Sequence, residues 1–454
     1  MTLNISVREL GKILDIPVLS EEDLSEDLRI SQVATDSRSL GRGDVFVALR
    51  GENFDGHEFA QMAIERGAIA LMVDHPVEVN SDFKIPQLIV SDTLVAYQKI
   101  AQWWRNQFSI PIIGITGSVG KTTTKELIAA ALSLHGKVHK TQANYNNEIG
   151  VPKTLLEITP DHDYAIIEMA MRGRGEIALL AQIAQPTIGV ITNVGTAHIG
   201  RLGSEQAIAE AKCELLAEMP DSSMAILNQD NERLIKTASQ FWSGQTVTYG
   251  LEGGDIQGKL IDSQTLQVEN LIFPLPLPGR HNALNYLAVL AITKVLGLDW
   301  ESLTKGLTVD LPGGRARRHD LGNDILLLDE TYNAGLESML AALDLLQETP
   351  GKRRIAVLGA MKELGERSPE FHQRVGEKVK KLGLDYLFVL TNDPDVEYLI
   401  QGAMGIETEC FATHELLVTR LENFMASGDR LLFKASNSVG LGKVVAGLNK
   451  NSEE

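Results

Sequence analysis

A glycine-rich loop followed by a Lys-Thr pair is the stretch of this sequence with the clearest chemistry. An apolar run at 112–115 leads into the loop, and a helical pattern over 125–132 follows it. The loop residues are Thr116, Gly117, Ser118, Val119, Gly120, Lys121, Thr122 and Thr123. A strand, a glycine turn, Lys-Thr and a helix start, in this order, are typical of a phosphate-binding loop. We therefore predict that these residues bind a nucleotide.

Each part of such a loop has a task in holding phosphate. Backbone N–H groups point at the anion, and the helix N-terminus adds partial positive charge. Lys121 would reach the terminal phosphates, and the hydroxyl of Thr122 would hold Mg²⁺. An ordinary glycine turn is the alternative, because Ile115 stands where the full pattern has glycine. The agreement of strand, turn, Lys-Thr pair and helix favours the nucleotide.

Two further apolar runs, which read as buried strands, end in polar residues. Glu168 closes the run over 163–167, and Asn193 and His198 follow the run over 187–191. In open parallel sheets the carboxyl ends of the strands face the ligand crevice. Glu168 is therefore a candidate Mg²⁺ ligand, directly or through water. The alternatives are a loop carboxylate for Glu168 and a structural role for His198.

Two polar stretches offer side chains for a larger ligand. The first combines hydroxyls with an arginine, as suits a diphosphate or a sugar, and the second is rich in asparagine, as suits a peptide or a sugar. The residues concerned are Asp36, Ser37 and Arg38 in the first stretch and Asn144, Asn146 and Asn147 in the second. Capped turns explain both stretches equally simply.

Three other positions have both a functional and a structural interpretation. Lys212 lies beside the apolar stripe of a helix that begins at Ser204, where a lysine often extends along the stripe edge to water. Asn282 opens a long helix, where its amide would read a base edge or cap the helix. Arg315 belongs to a basic cluster at a domain boundary, where it would clamp phosphate or remain solvated.

The composition bounds the class of protein. A chain of 454 residues with 44% hydrophobic content is long enough for about three domains. The net charge of −18 argues against a nucleic-acid or membrane-surface binder, because the sequence shows no sign of a basic face. No apolar run has the length of a membrane span, and we see no signal peptide. The two cysteines lack metal spacing, so a reducing cytoplasm is expected.

The alternation of strand and helix patterns predicts an α/β protein of three domains. Residues 1–108 read as a small α/β domain, and 109–311 as a central domain with a parallel sheet around the phosphate-binding loop. Residues 312–454 read as a Rossmann-like domain, because strands over 354–358, 386–390 and 430–434 alternate with helices. Positions 245–273 read as hairpin strands. No dinucleotide fingerprint is present, so NAD is not inferred.

Together these motifs resemble the Mur ligase family, which builds the peptide of bacterial peptidoglycan. The resemblance covers nearly the whole chain. The stretch over 116–124 looks like the ATP loop of the family, and 279–285 matches its adenine-side motif. The stretch over 144–152 is the most specific, since it is similar to the member that adds D-alanyl-D-alanine. Residues 329–334 match a C-terminal motif, and 35–38 with 46–51 match the domain that binds the UDP-sugar.

The resemblance implies an ATP- and Mg²⁺-dependent enzyme that joins UDP-N-acetylmuramoyl-tripeptide to D-alanyl-D-alanine through an acyl phosphate, and we expect a cytoplasmic monomer. The implied catalytic residues are Lys121, Glu168, His198, Lys212 and Arg315. A carbamylated Lys212 would support Mg²⁺ with Thr122, Glu168 and His198. The implied nucleotide contacts beyond the loop are Asn282, Arg315, Asp329 and Tyr332. The implied substrate contacts are Asp36, Ser37, Arg38, Asn144, Asn146, Asn147 and Asn333.

Three other functions remain open at this point. One is a sibling ligase that adds a single amino acid, and another is an enzyme like folylpolyglutamate synthetase. The third is an ATPase or nucleotide-binding protein with a phosphate-binding loop and no ligase activity. The C-terminal domain departs from the family pattern at 333–336, 359–361 and 435–439. The positions implied for ATP and Mg²⁺ are intact.

Overall fold

The chain folds into three successive α/β units, each with its own main sheet. The computed structural model describes residues 3, 5–16, 28–80, 85–391 and 393–450. The main sheets have four, nine and six strands, and each sheet draws its strands from one continuous stretch of chain. Three sheets with flanking helices, the first wholly parallel and the other two mixed, confirm the predicted α/β class and its three-part architecture.

The first unit is a small parallel sheet in the order β1-β2-β5-β6. Its strands, with the short hairpin β3–β4, are β1 (Val33–Ala34), β2 (Val45–Val47), β3 (Arg50–Gly51), β4 (Phe54–Asp55), β5 (Ala70–Val73) and β6 (Gln87–Ile89). Its helices are α1 (Val7–Ile13), α2 (Ala60–Glu65) and α3 (Thr93–Arg105), with a 3₁₀ turn at Gly56–Phe59. Helix α3 also contacts the second unit, because Trp104 Nε1 donates to the carbonyl of Ile158 at 3.1 Å and Arg105 Nε to that of Ala184 at 2.8 Å.

The second unit carries the phosphate-binding loop. Its strand order is β15-β14-β13-β12-β11-β10-β7-β9-β8. The strands are β7 (Ile112–Thr116), β8 (Val138–Lys140), β9 (Tyr164–Glu168), β10 (Ile188–Ile191), β11 (Met224–Asn228), β12 (Gln245–Gly250), β13 (Ile256–Asp262), β14 (Thr265–Val268) and β15 (Leu271–Pro274). The helices are α4 (Lys121–Leu132), α5 (Gly150–Leu156), α6 (Glu176–Ala184), α7 (Ile199–Leu202), α8 (Glu205–Ala217), α9 (Glu232–Phe241) and α10 (Arg280–Val295), followed by a 3₁₀ turn at Ser302–Lys305.

The strands over 245–274 differ in part from the predicted hairpins. Strands β13, β14 and β15 form an antiparallel meander as expected. Strand β12 instead pairs in parallel with both β11 and β13. Burial along β12 does not alternate but rises from exposed at Gln245 to buried at Gly250, so the polar residues at its start reflect the exposed end of a strand within the sheet.

The third unit is parallel except for its first strand. Its order is β16-β17-β21-β18-β19-β20, and β16 runs antiparallel to β17. The strands are β16 (Arg317–Asp320), β17 (Leu326–Asp329), β18 (Arg353–Leu358), β19 (Tyr386–Leu390), β20 (Thr408–Phe411) and β21 (Asp429–Lys434). The helices are α11 (Leu336–Glu348), α12 (Ser368–Leu382), α13 (Val396–Gly402), α14 (His414–Phe424) and α15 (Gly442–Lys450), with 3₁₀ turns at Gly365–Arg367 and Asn437–Val439.

The largest apolar core runs from the second unit into the third. It joins buried side chains of the central helices, such as Ile177 and Ile208, to Leu343 and Phe388 of the third unit. Burial of apolar area at such a junction stabilises one arrangement of the two units, at roughly 25 cal/mol per Å². A second core, between the central sheet and helices α4 and α10, supports the phosphate-binding loop from behind.

Candidate active site

The phosphate-binding loop connects the end of β7 to the start of α4, and two of its positions require glycine. Gly117 has φ +154°, and a Cβ there would lie 1.9 Å from Oγ1 of Thr192. Gly120 has φ +85°, and a Cβ there would lie 2.7 Å from Oδ1 of Asn285. The backbone therefore approaches its neighbours more closely than any side chain allows.

Residues that follow β10 brace this loop from one side. Asn193 receives a hydrogen bond from Val119 N at 3.0 Å and returns one from its amide to Val119 O at 2.9 Å. Thr192 Oγ1 donates to the same carbonyl at 2.7 Å. Ser118 Oγ accepts from Gly195 N at 2.9 Å. The loop is thus held in shape by the next strand of the sheet, as a preorganised anion site requires.

Lys121 begins helix α4 and folds back over the loop. Its Nζ donates to the carbonyl of Gly117 at 2.8 Å. Burial lowers the pKa of Lys121 and the nearby Arg315 lowers it further, while Glu168 acts in the opposite direction. A cation that burial destabilises gains the most from an arriving anion, so the site favours a phosphate group.

Glu168 lies at the end of β9, where a hydroxyl and an amide meet it. Its Oε1 accepts hydrogen bonds from Thr122 Oγ1 at 3.2 Å and from Asn146 Nδ2 at 2.8 Å. Its Oε2 is buried and has no hydrogen-bond partner, with Lys125 Nζ 3.6 Å away. A buried carboxylate oxygen left open beside a threonine hydroxyl matches the hard oxygen ligands that Mg²⁺ prefers. These residues therefore fit the predicted metal.

His198 and Lys212 lie beside Lys121. Burial lowers the pKa of His198, and the ammonium groups of Lys121 and Lys212 lower it further, against the opposing effect of Glu363. Lys212 is only 1% exposed, so its side chain does not extend to water along the edge of helix α8. Burial, and then Lys121, hold the pKa of Lys212 well below its usual value. The structure thus brings four predicted catalytic residues together, namely Lys121, Glu168, His198 and Lys212.

Arg315 adds a positive charge from the third unit. Its guanidinium stacks on Tyr332, with 3.6 Å between the guanidinium carbon and the ring centroid, and its Nε is buried without a hydrogen-bond partner. Burial lowers the pKa of Lys434, and Arg315 lowers it further, against the opposing effect of Glu330. Asp329, at the end of β17, accepts hydrogen bonds from the N–H and hydroxyl of Thr331 at 3.1 and 2.6 Å. The charge of Arg315 thus acts on Lys121 of the loop, and Tyr332 supports the guanidinium that carries it.

Asn282 reaches the phosphate-binding helix through a second asparagine. Thr124 Oγ1 donates to Asn285 Oδ1 at 3.2 Å, and Asn285 Nδ2 donates to Asn282 Oδ1 at 3.3 Å. The amide of Asn282 donates to the carbonyl of Pro278 at 2.9 Å, at the start of α10. Asn282 is thus part of a buried chain of polar groups that ends at the loop helix.

The predicted substrate residues are spread over loops of all three units, and their side chains differ in how many of their polar atoms are already bonded. Arg38 pairs with Asp36 at 2.8 Å and holds the pKa of that carboxyl at about 2, while the buried Ser37 donates to Met62 Sδ at 3.7 Å. Asn147 Oδ1 accepts from Gly150 N at 2.9 Å at the start of α5. The last two positions, Asn144 and Asn333, are exposed.

Several residues in this crevice were not predicted. Lys125 is buried and donates to the carbonyl of Thr141 at 2.7 Å, and Lys434 donates to the carbonyl of Asn333 at 2.9 Å. A sequence pattern could have indicated Asn285 as a site residue, because it stands three positions after Asn282 and so shares its helix face. No pattern indicated Lys125 or Lys434, since a lysine on an apolar stripe or at a strand end normally reaches water.

Comparison with known sequences agrees with this geometry. The Mur ligase middle domain profile matches residues 115–293, the profile of the Mur ligase glutamate ligase domain matches 314–437, and that of the Mur ligase family catalytic domain matches 29–105. A UDP-N-acetylmuramoyl-tripeptide–D-alanyl-D-alanine ligase from Synechocystis sp. is 63% identical over 448 residues, which cover 99% of this chain and 98% of that protein. The chain belongs to the Mur ligase family.

Solved structures of Mur ligases match this one over its full length. MurF from Acinetobacter baumannii superposes with a TM-score of 0.89 at 29% identity, covering 99% of each chain. MurF ligase from Thermotoga maritima, solved in complex with ADP, superposes with a TM-score of 0.82 at 32% identity, covering 94% of this Mur ligase and 99% of that chain.

Among the described residues, none of the helices combines the length and the apolar character needed to cross a membrane.

Proposed function

We propose that this Mur ligase joins D-alanyl-D-alanine to UDP-N-acetylmuramoyl-tripeptide with the cleavage of ATP to ADP and phosphate. The observation that carries the proposal is the bond between Asn146, in the stretch over 144–152, and Glu168, beside the phosphate-binding loop. It couples the most substrate-specific motif of the sequence to the nucleotide site. The relative from Synechocystis sp. carries the same substrates in its name.

The reaction needs an activated acid, because joining a carboxylate to an amine in water is uphill. The tripeptide carboxylate attacks the γ-phosphate of ATP, which forms an acyl phosphate and releases ADP. The amine of D-alanyl-D-alanine then attacks the acyl carbon, and phosphate leaves through a tetrahedral intermediate. The first step brings two anions together, so the protein must supply positive charge where they meet.

The residues of the crevice supply that charge. Lys121 lies over the loop, where it binds the terminal phosphates, and Arg315 approaches from the third unit. Thr122, Glu168 and His198 would hold Mg²⁺, which when bound screens the two anions from each other. Asn282, Asp329 and Tyr332 complete the nucleotide side. Closure of the third unit onto the second would exclude water from the acyl phosphate.

Lys212 fits the role of a carbamate better than that of an ammonium ion. The amine reacts with CO₂ only in its neutral form, and the lowered pKa favours that form at neutral pH. The product is an anion, which Lys121 attracts where it would repel an ammonium group. A carbamylated Lys212 would therefore support the metal beside Glu168 and His198.

The remaining assignments concern the whole chain. We propose that residues 1–108 bind the UDP-sugar through Asp36, Ser37 and Arg38, that 109–311 bind ATP, and that 312–454 close over the site. Asn144, Asn146, Asn147 and Asn333 would contact the peptide substrates. The enzyme would act as a monomer in the cytoplasm, where ATP is available and the free thiols of Cys213 and Cys410 stay reduced.

One assay tests the proposal. Phosphate release from ATP is measured with UDP-N-acetylmuramoyl-tripeptide, with and without D-alanyl-D-alanine, and the ligated product is followed by mass spectrometry. We expect release that requires both substrates and that falls by roughly 10²–10³ in Lys121→Ala, the loss typical of a removed electrostatic contact. The exposed Lys137→Ala serves as the matched control. Phosphate release that ignores both substrates would instead indicate an ATPase without ligase activity.

A further inference from the structure

The segment over 195–201, which follows β10 in the second unit, is held by the third unit at two points. The first point is Glu337, near the start of α11. Thr196 N donates to its Oε1 at 2.8 Å, and Thr196 Oγ1 donates to its Oε2 at 3.1 Å. A Cβ on Gly195 would lie 2.6 Å from Cδ of Glu337, so the backbone passes this carboxylate without room for a side chain.

The second point is a backbone contact between two glycines. A Cβ on Gly200 would lie 2.6 Å from Gly365 N, and a Cβ on Gly365 would lie 2.7 Å from Gly200 Cα. Gly200 N also donates to the carbonyl of Glu363 at 3.1 Å. A fit of this closeness between two chain segments defines their relative position to within a few tenths of an ångström.

His198 stands between these two points and faces Glu363. Its Nδ1 lies 2.6 Å from Oε2 of Glu363, in a contact that is short but too bent to be a hydrogen bond. Both residues have positive φ, +66° for His198 and +62° for Glu363. Non-glycine residues in this region cost about 1–3 kcal/mol and persist where the surroundings impose them. Glu363 also lies 3.5 Å from Arg201, through its other oxygen.

We propose that Glu363 is a positioning residue, whose carboxylate orients the imidazole of His198 so that docking of the third unit completes the catalytic site. With Nδ1 lying 2.6 Å from the carboxylate of Glu363, Nε2 is the nitrogen left for the reaction centre. A carboxylate behind an imidazole sets both the tautomer and the ring orientation. The inference rests on the proposed ligase function, because that function gives His198 its task.

The experiment compares Glu363→Gln and Glu363→Ala with Glu366→Gln, which alters an exposed glutamate of the adjacent 3₁₀ turn at Gly365–Arg367. Ligation is measured at varied ATP and UDP-substrate. We expect kcat to fall roughly 10–100-fold in both Glu363 variants, more in Glu363→Ala, with each KM within about twofold of wild type. Glu366→Gln should match wild type in all constants. An unchanged kcat in Glu363→Ala would overturn the proposal.

A second readout does not depend on activity. The ring nitrogens of His198 are followed by ¹⁵N NMR in the full-length protein, with the resonances assigned through His198→Gln. The shifts should change in Glu363→Ala and stay the same in Glu366→Gln. Unchanged shifts in Glu363→Ala would refute the positioning role even if kcat falls. If the wild-type protein catalyses no ligation, the proposed ligase function is wrong. The ¹⁵N shifts of His198 still test whether Glu363 orients its ring.

Discussion

The side-chain amide of Asn146 donates a 2.8 Å hydrogen bond to the same oxygen of Glu168 that accepts the hydroxyl of Thr122. One carboxylate oxygen thus joins the asparagine-rich stretch to the phosphate-binding loop. The other oxygen of Glu168 is buried and accepts no hydrogen bond within the described part of the chain, and Lys125 Nζ lies 3.6 Å from it. The amide therefore fixes which way the carboxylate presents this oxygen, and with it the place where Mg²⁺ would bind.

Removal of the Asn146 amide should leave the carboxylate of Glu168 in place but less firmly oriented. We expect Asn146→Ala to lower the apparent Mg²⁺ affinity and kcat/KM by roughly 10–100-fold, as is usual when a partner of a metal ligand is lost. The measurement is ligation rate against Mg²⁺ concentration. Gln142→Ala, which removes an exposed amide just before this stretch, should leave the Mg²⁺ dependence of wild type intact. Equal behaviour of the two variants would refute the orienting role of Asn146.

Gly120 and Gly175 have nearly the same φ, so alanine substitutions at the two positions distinguish the cost of backbone strain from that of a steric clash. Gly120 has φ +85° and meets Asn285, whereas Gly175 has φ +81° with open space around its Cβ position. Alanine at either position should lower the free energy of unfolding by about 1–2 kcal/mol. Only Gly120→Ala should also weaken ATP binding, by about tenfold or more, because its loop must shift. Calorimetry of unfolding and of nucleotide binding measures the two effects, and normal ATP affinity in Gly120→Ala would contradict the prediction.

Carbamylation of Lys212 should be visible directly. Protein equilibrated with ¹³C-bicarbonate should show one carbamate carbon signal by NMR, and the signal should fade as the pH is lowered, because acid protonates the amine and releases CO₂. Burial, and then Lys121, lower the pKa of Lys212, which increases the neutral fraction of the amine that reacts with CO₂. Lys212→Arg keeps a cation that cannot form a carbamate and should lose the signal and roughly 10–100-fold of kcat. A signal that survives this substitution belongs to another group.

Arg38 lowers the pKa of Asp36. Hydrogen bonds from Arg38 lower the pKa of Asp36 from 3.8 to about 2. Because the pKa of Asp36 is lower in the folded than in the unfolded protein, its carboxylate stabilises the folded state at pH values above the unfolded pKa. This contribution to stability is lost as the pH falls through about 2. Arg38→Ala should therefore raise the NMR titration midpoint of Asp36 toward 3.8. Arg66→Ala should move it less, because Arg66 is the smallest of the causes. Larger movement in Arg66→Ala would reverse this ranking.

The sequence alone determined the features that are local in the chain. The phosphate-binding loop, the strand end at Glu168, the polar segment after β10 that contains His198, and the α/β class follow from contiguous patterns, since period, turn chemistry and strand termini are set within a few residues. The motif over 144–152 likewise predicted the substrate class. The division into 1–108, 109–311 and 312–454 stays a prediction.

The tertiary structure decided what depends on residues far apart. A lysine on a helix stripe normally reaches water, so only the packing around α8 shows that Lys212 is buried beside Lys121. Glu363 is an unremarkable glutamate in the sequence, yet the docked third unit places it against His198. Burial and long-range charge arise from packing between units, and a pattern read along one segment cannot contain them.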